Sequence, residues 1–316
     1  MKKIMYMLIL SALVLYILIF PSQAVGAASY GLVLWYRNLL PALLPFAILS
    51  HILIQSRLLD SFARLIQRVV KWIIPVSEVG IYPLFAGFLF GFPLGSKITS
   101  ELVISNRMSR EEGNKLFAIC NNISPLFISS FMLHDSLDRG DLRLPTFLML
   151  YGPPLIYYRI TAHKAKNAIQ KPQTGSHTIN TKNTASRSQM NFKIIDAGIM
   201  NGFETLTKLG GYIMLFAILA QMTTCIPVWN IQIRCIMIGM VELTNGIAYT
   251  AKTSLPFEVK YPLIMLYTAF GGLSGIAQTA SMVKGTGFRI WSYLGTKALC
   301  SIATLIFAIV YVQFFC

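Results

Sequence analysis

The costliest side chains of this sequence sit inside its apolar runs, and they are the residues that could do chemistry. Glu242 lies in the run from Ile236 to Tyr249, with Thr244 and Asn245 beside it. A charge at membrane depth costs roughly 3 kcal/mol or more, so such a residue is a functional candidate by default. It could carry a proton or an ion, or accept from a solute donor. Its structural alternatives are an ion pair with Lys97 or burial as a neutral acid. Lys97 follows Gly95 and Ser96. It could meet an anionic solute beside a helix N-terminus, or snorkel to lipid headgroups. Asn121, Asn122 and Ser124 interrupt the run from Leu116 to Leu133 just before Pro125. They could bind the polar groups of a solute, or join helices around the break. Gln278 and Thr279 follow Gly271, Gly272 and Gly275 and could complete the same site, or simply bond between helices. Glu101, one turn beyond Lys97, reads as structural.

Other chemistries lack their residues. The string from Gly91 to Lys97 superficially resembles a phosphate-binding loop, but it is too short and its Ser precedes the Lys. There is no H-E-x-x-H and no G-x-S-x-G, and His51, His134, His163 and His177 are isolated. Cys120, Cys225, Cys235, Cys300 and Cys316 are odd in number and scattered, so they read as packing residues. We expect no enzyme, no metal site and no cofactor beyond a coupling proton or sodium ion.

The composition says what must position these residues. The chain has 316 residues, 55% hydrophobic and only 12% charged, with a mean hydropathy of +0.60. A soluble domain carries about a quarter charged residues. Crossing a bilayer takes about 20 apolar residues in a helix. Eight or nine apolar stretches are present and they are continuous rather than alternating, which favours helices over a barrel. The formal charge of +15 sits in the loops, as cytoplasmic loops of membrane proteins require, so lipid rather than nucleic acid is the expected partner.

Residues 1–22 read as an N-terminal transmembrane helix. Ser22-Gln23-Ala24 resembles a signal-peptidase site, but the apolar run before it is long for a signal peptide, so retention is favoured. Residues 161–193 form a Ser/Thr/Asn/Lys-rich linker, read as flexible and cytoplasmic. The segment from Phe192 to Lys208 mixes charged and apolar residues and reads as an interfacial amphipathic helix.

An internal repeat flanks the linker. Phe46-Ala47-Ile48-Leu49 recurs as Phe216-Ala217-Ile218-Leu219. The polar break from Gly91 to Lys97 corresponds to the one from Glu242 to Gly246, and Asn121 to Pro125 corresponds to Gly271 to Gly275. Residues 23–160 and 194–316 are then two homologous units. With the linker placed inside, each unit needs three crossings and one re-entrant hairpin, and an odd count inverts one unit relative to the other. The expected fold is an all-α polytopic membrane protein of two inverted repeats with broken or re-entrant helices. Secondary transporters recur to this plan, because irregular backbone survives in lipid only where it is buried or lines a wet cavity.

These strings also resemble a known family. Phe20-Pro21, Gly31 to Trp35 and Leu40 to Phe46 look like the opening of YlbJ-type sporulation integral membrane proteins. Gly91-Phe92-Pro93-Leu94-Gly95-Ser96-Lys97 and Cys120-Asn121-Asn122-Ile123-Ser124-Pro125-Leu126-Phe127 look similar to it as well. Glu242 to Gly246 and Gly271 to Gln278 extend the likeness to nearly the whole chain. The resemblance implies paired nucleoside-recognition, or gate, domains similar to the core of concentrative nucleoside transporters. It implies a carrier of dipicolinate from mother cell to forespore, in the outer forespore membrane of an endospore former. The implied site comprises Ser96, Lys97, Asn121, Asn122, Ser124, Glu242, Thr244, Asn245 and Gln278. The chain departs from the family in being shorter and in carrying Leu243 where a methionine is expected, which leaves room for a divergent paralogue with another solute.

The leading expectation is therefore an alternating-access transporter of a small anionic metabolite, with a homo-oligomer left open. The alternatives are a membrane scaffold for spore assembly that transports nothing, and a nucleoside carrier.

Overall fold

The computed structural model describes residues 2–55, 67, 74, 76–163 and 192–315. The basic residues Arg57, Arg64, Arg68 and Lys71, the linker from 164 to 191 and His177 lie outside the described residues. No strand occurs among those described.

In the first half, α1 (Lys2–Ile19) meets α2 (Pro21–Leu34) at a sharp angle. The bend between Met7–Ile19 and Pro21–Leu39 is 108°. Pro21 starts α2, where its missing N–H would have had no helical partner. One wide π turn, Trp35–Leu39, carries α2 into α3 (Leu40–Gln55). It sits where Pro41 offers no N–H to the carbonyl of Arg37. Then come α4 (Ile81–Leu89), α5 (Leu94–Ile104) and α6 (Arg110–Ile119). After an unwound stretch, α7 (Pro125–Phe127) runs into a π-helical segment, Ile128–Ser136, and α8 (Arg143–His163) ends the half.

The second half comprises α9 (Phe192–Thr223), α10 (Ile231–Val241), α11 (Leu243–Lys252), α12 (Phe257–Phe270), α13 (Gly272–Met282) and α14 (Ile290–Phe315). The order matches the first half. Each has a long helical stretch, a pair of short helices with a break between them, a second broken pair, and a closing helix. The two Phe-Ala-Ile-Leu strings fall on α3 and α9, which pack against each other.

Glycines show how the first pair in each half folds. A Cβ on Gly95 would lie 2.8 Å from the Cα of Gly87, and one on Gly246 would lie 2.2 Å from the Cα of Gly239. Residues seven or eight apart in a continuous helix are separated by roughly 10–12 Å along the axis. The chain must therefore turn back, so α4–α5 and α10–α11 are helical hairpins with bare backbone between their arms. Arms of 9 to 11 residues are about 14–17 Å long, half the thickness of a hydrocarbon layer.

Among the described residues, three helical stretches are long and apolar enough to cross a membrane: α9 (Phe192–Thr223), α12 and α13 taken together (Phe257–Met282), and α14 (Ile290–Phe315). The bent α1–α2 pair makes a fourth if it counts as one span. The count is below the eight or nine stretches read from the sequence, because several of those stretches are hairpin arms and interrupted helices. The segment expected as a separate interfacial helix, Phe192 to Lys208, is the first part of the unbroken 32-residue α9. Its Glu204 and Lys208 pair on an exposed face at 2.5 Å.

The lipid-facing surface is legible in exposure. Leu299, Ile302, Ile306 and Phe307 of α14 are exposed, while Tyr293, Lys297, Cys300 and Ser301 are buried. Trp229 and Trp291 project at the starts of α10 and α14, as interfacial anchors do.

Candidate functional site

The four helix breaks converge. In the first half, the Phe92 N–H at the hairpin tip donates to the Asn122 carbonyl at 2.7 Å. Gly91, at φ +79°, has no room for a side chain, since a Cβ would lie 2.7 Å from the Ser124 nitrogen. Gly87 and Gly95 press equally close on the Cys120 carbonyl, with ideal Cβ positions 1.8 and 2.0 Å away. The Phe92 ring then crosses to the second half and rests on Gly275 of α13. There Gly271 (φ +89°) and Gly272 (φ +65°) break α12 from α13. Gly272 abuts the Gly239 carbonyl and the Leu243 nitrogen at the second hairpin tip.

A small cavity lies at this meeting point. Phe90, Phe92, Ser124, Glu242, Thr244 and Gln278 are among the residues that line it, with Gly271, Ser274 and Gly275. The space a water centre can occupy is about 40 Å³, room for roughly three waters. Glu242 is buried and forms the break itself. Its Oε2 accepts from the Asn245 N–H at 2.8 Å and from the Thr244 hydroxyl. The carboxylate thus caps the positive end of α11. The N-terminus of α13 opposite has no side-chain cap. Gln278 donates through Nε2 to Ser274 Oγ at 2.9 Å, while its Oε1 is buried without a partner. A buried polar atom left unpaired costs about 1–3 kcal/mol, so this half of the amide invites a ligand donor or a water.

Behind the cavity is a polar knot joining both halves. Ser96 Oγ donates to Asn121 Oδ1 at 2.7 Å. Asn121 Nδ2 donates to Thr279 Oγ1 and to Tyr293 Oη, each at 2.6 Å. Asn122 Nδ2 returns to the Ile119 carbonyl at 2.6 Å, and Asn122 Oδ1 accepts from Lys297 at 3.1 Å.

The expected site residues therefore separate into three places. Ser124, Glu242, Thr244 and Gln278 line the cavity. Ser96, Asn121 and Asn122 build the knot. Lys97 and Asn245 face elsewhere. Lys97 donates to Asn201 and Thr205 of α9, and it forms no ion pair with Glu242. Asn245 lines a wider cleft of about 390 Å³ with Tyr30, Gln221, Tyr249 and Lys252. Neighbours on a helix point about 100° apart, so adjacency to Ser96 or Thr244 does not confer a shared face. Tyr293 and Lys297, both buried on α14, are not among the residues expected from the sequence. The signal was present: a lysine two turns inside an apolar run. Among the described residues, no cluster of three or more His, Cys, Asp or Glu could hold a metal ion. Of the cysteines expected as packing residues, Cys120, Cys235 and Cys300 are buried and Cys225 is exposed.

Broken helices, half-length hairpins and an apolar outer belt define a polytopic helical membrane protein with a polar centre. Comparison with known proteins adds a relative. The chain is 24% identical, over an alignment of 315 positions, to the sporulation integral membrane protein YlbJ of Bacillus subtilis (strain 168). The alignment covers 91% of this chain and 77% of that protein. No family model matches the chain. No solved structure matches it either. The resemblance to YlbJ-type proteins thus holds along most of the chain, and its similarity to an integral membrane protein agrees with its apolar helices.

Proposed function

We propose that this protein is a membrane carrier for a small anionic metabolite, working by alternating access. One observation carries the reading. Two helix breaks from each half meet around a small cavity, and the start of α13 there has no side-chain cap, so its freed N–H groups suit an anion. Freed backbone groups are tolerated in lipid only where protein or a wet cavity satisfies them. Four such breaks in one place serve a ligand better than they serve packing. In this reading α4–α5 and α10–α11 are re-entrant, and the two halves are inverted gate-type repeats, as in the core of nucleoside transporters. Glu242 tunes affinity or exchanges a coupling proton or sodium ion. The shared element order of the halves and the short hairpin arms support this plan.

The solute proposed is dipicolinate, moved from mother cell toward forespore across the outer forespore membrane. The YlbJ-type resemblance supports that choice. Room for about three waters does not admit a ring with two carboxylates. Binding then requires the breaks to part.

The test is uptake of labelled dipicolinate into liposomes holding the purified protein. Saturable uptake is expected, at least tenfold lower in Gln278→Ala and Glu242→Gln with melting temperatures close to wild type. Folded protein without uptake, together with a deletion strain whose spores keep their dipicolinate but lose normal morphology, would replace the carrier with a scaffold.

A further inference from the structure

Among the described residues, two acidic residues are buried, and local groups hydrogen-bond to both. Glu242 is held by Thr244 and the Asn245 N–H, and Glu112 accepts from the Ser77 N–H at 2.9 Å. One cation is equally buried. Lys297 is 4% exposed, on the inner face of α14. Its ammonium donates to Asn122 Oδ1 at 3.1 Å and lies 6.0 Å from the centre of the Tyr293 ring. No carboxylate among the described residues comes within ion-pair distance of it. An ammonium has three donors, and a neutral amide oxygen takes one. A buried charge needs a counter-charge, and the described residues place none within ion-pair distance.

Its position gives this unmatched cation a use. Asn122 is one residue from Ile123 and two from Ser124, both in the cavity wall. The Asn122 carbonyl also holds the hairpin tip through the Phe92 N–H. Lys297 does not itself line the cavity, but through Asn122 it holds the segment between the first half's hairpin tip and the Ser124 wall. Lys97, by contrast, already has two oxygen partners on α9.

We infer that Lys297 is the cationic binding group for a solute carboxylate: the anion entering between the breaks takes the ammonium donors left open by the protein, and Asn122 passes that contact to the hairpin tip at Phe92. The inference rests on the carrier reading and names the charge that selects its substrate class.

The test uses full-length protein in detergent and in liposomes, as wild type, Lys297→Arg and Lys297→Met. Ligand-induced shifts in melting temperature are titrated with dipicolinate, with benzoate as a minimal carboxylate, and with the neutral diamide of dipicolinate. Carboxylate binding is expected in wild type, retained within about threefold in Lys297→Arg and weakened at least tenfold in Lys297→Met. Any diamide binding should be equal in all three. Carboxylate binding unchanged in Lys297→Met overturns the inference and leaves the carrier reading standing. Benzoate binding that depends on Lys297, without dipicolinate uptake, sustains the inference and removes dipicolinate as solute. No carboxylate binding to folded wild type overturns the inference outright. Should Lys297→Met fail to fold, Lys297→Gln keeps a donor for Asn122 without the charge and gives the same comparison.

Discussion

In the first half the hairpin tip is tied to the neighbouring break through backbone. The Phe92 N–H donates to the Asn122 carbonyl, and three glycines allow the close approach. In the second half an ionisable group does the corresponding work. Glu242 ends α10, caps α11 through its own carboxylate, and sits against Gly272 of the other break by way of Leu243. The first half also supplies the amides Asn121 and Asn122, whose side-chain groups are all bonded. The second half supplies the unfilled groups, Gln278 Oε1 and the uncapped start of α13. Equal geometry is thus built from unequal chemistry. The first half resembles a frame, and the second turns its open valences toward the cavity.

The largest effects should test the shared geometry. Gly87→Ala, Gly95→Ala and Gly246→Ala each place a methyl within 2.2 Å of backbone. Each should cost about 3 kcal/mol or more, read as loss of folded protein in detergent. Gly152→Ala and Gly211→Ala, with nothing near the added carbon, are the matched controls for the two halves. They should stay within about 1 kcal/mol of wild type or gain slightly from helix propensity. Tolerance of Gly246→Ala alone would mean that the second hairpin is not closed as the first is.

A smaller effect should separate the frame from the periphery. Asn121→Ala strips partners from Ser96, Thr279 and Tyr293 together. With about 1 kcal/mol lost for each buried hydrogen bond, chemical denaturation should show a deficit near 3 kcal/mol. Asn245→Ala, half-buried beside the wider cleft, should lose under about 1 kcal/mol on the same measurement.

The caps come next. Glu242→Ala should lose about 1–2 kcal/mol, and Ser124→Ala, which removes the bond to the Phe127 N–H at 3.3 Å, about 1 kcal/mol. Glu242→Gln keeps an acceptor for the Asn245 N–H and should shift stability by less than about 1 kcal/mol. The smallest stability change is expected for Gln278→Met. It removes an unpaired oxygen together with the Nε2 bond to Ser274 Oγ, two opposing changes of about 1 kcal/mol, so the melting temperature should move little while solute binding falls. A fall in stability as large as that of Asn121→Ala would make Gln278 part of the frame and blunt the contrast between halves.

All four breaks were legible beforehand, since Gly, Pro, Asn and Ser inside apolar runs interrupt helices for local reasons. Glu242 was legible too, because an acid in an apolar run stands out whatever surrounds it. The faces were not legible. Ser96 and Lys97 are adjacent in sequence, yet one bonds Asn121 and the other bonds α9. Lys297 was not legible because it lies on an unbroken helix, where only the packing of α14 decides that its face is buried. The unbroken length of α9 was hidden by Lys208 and Glu204, which only the exposed helix face reconciles with a long helix.

By itself the sequence determined that the chain is helical, apolar enough for a membrane, and interrupted at paired places. Those properties follow from residue type and short-range spacing. Only the tertiary structure decided that the interruptions meet, that Asn121 bonds across both halves, that Gln278 keeps an open acceptor and that Lys297 is buried without an acid. Such facts depend on which helix faces another, and contacts between residues more than 150 positions apart leave no trace in local spacing.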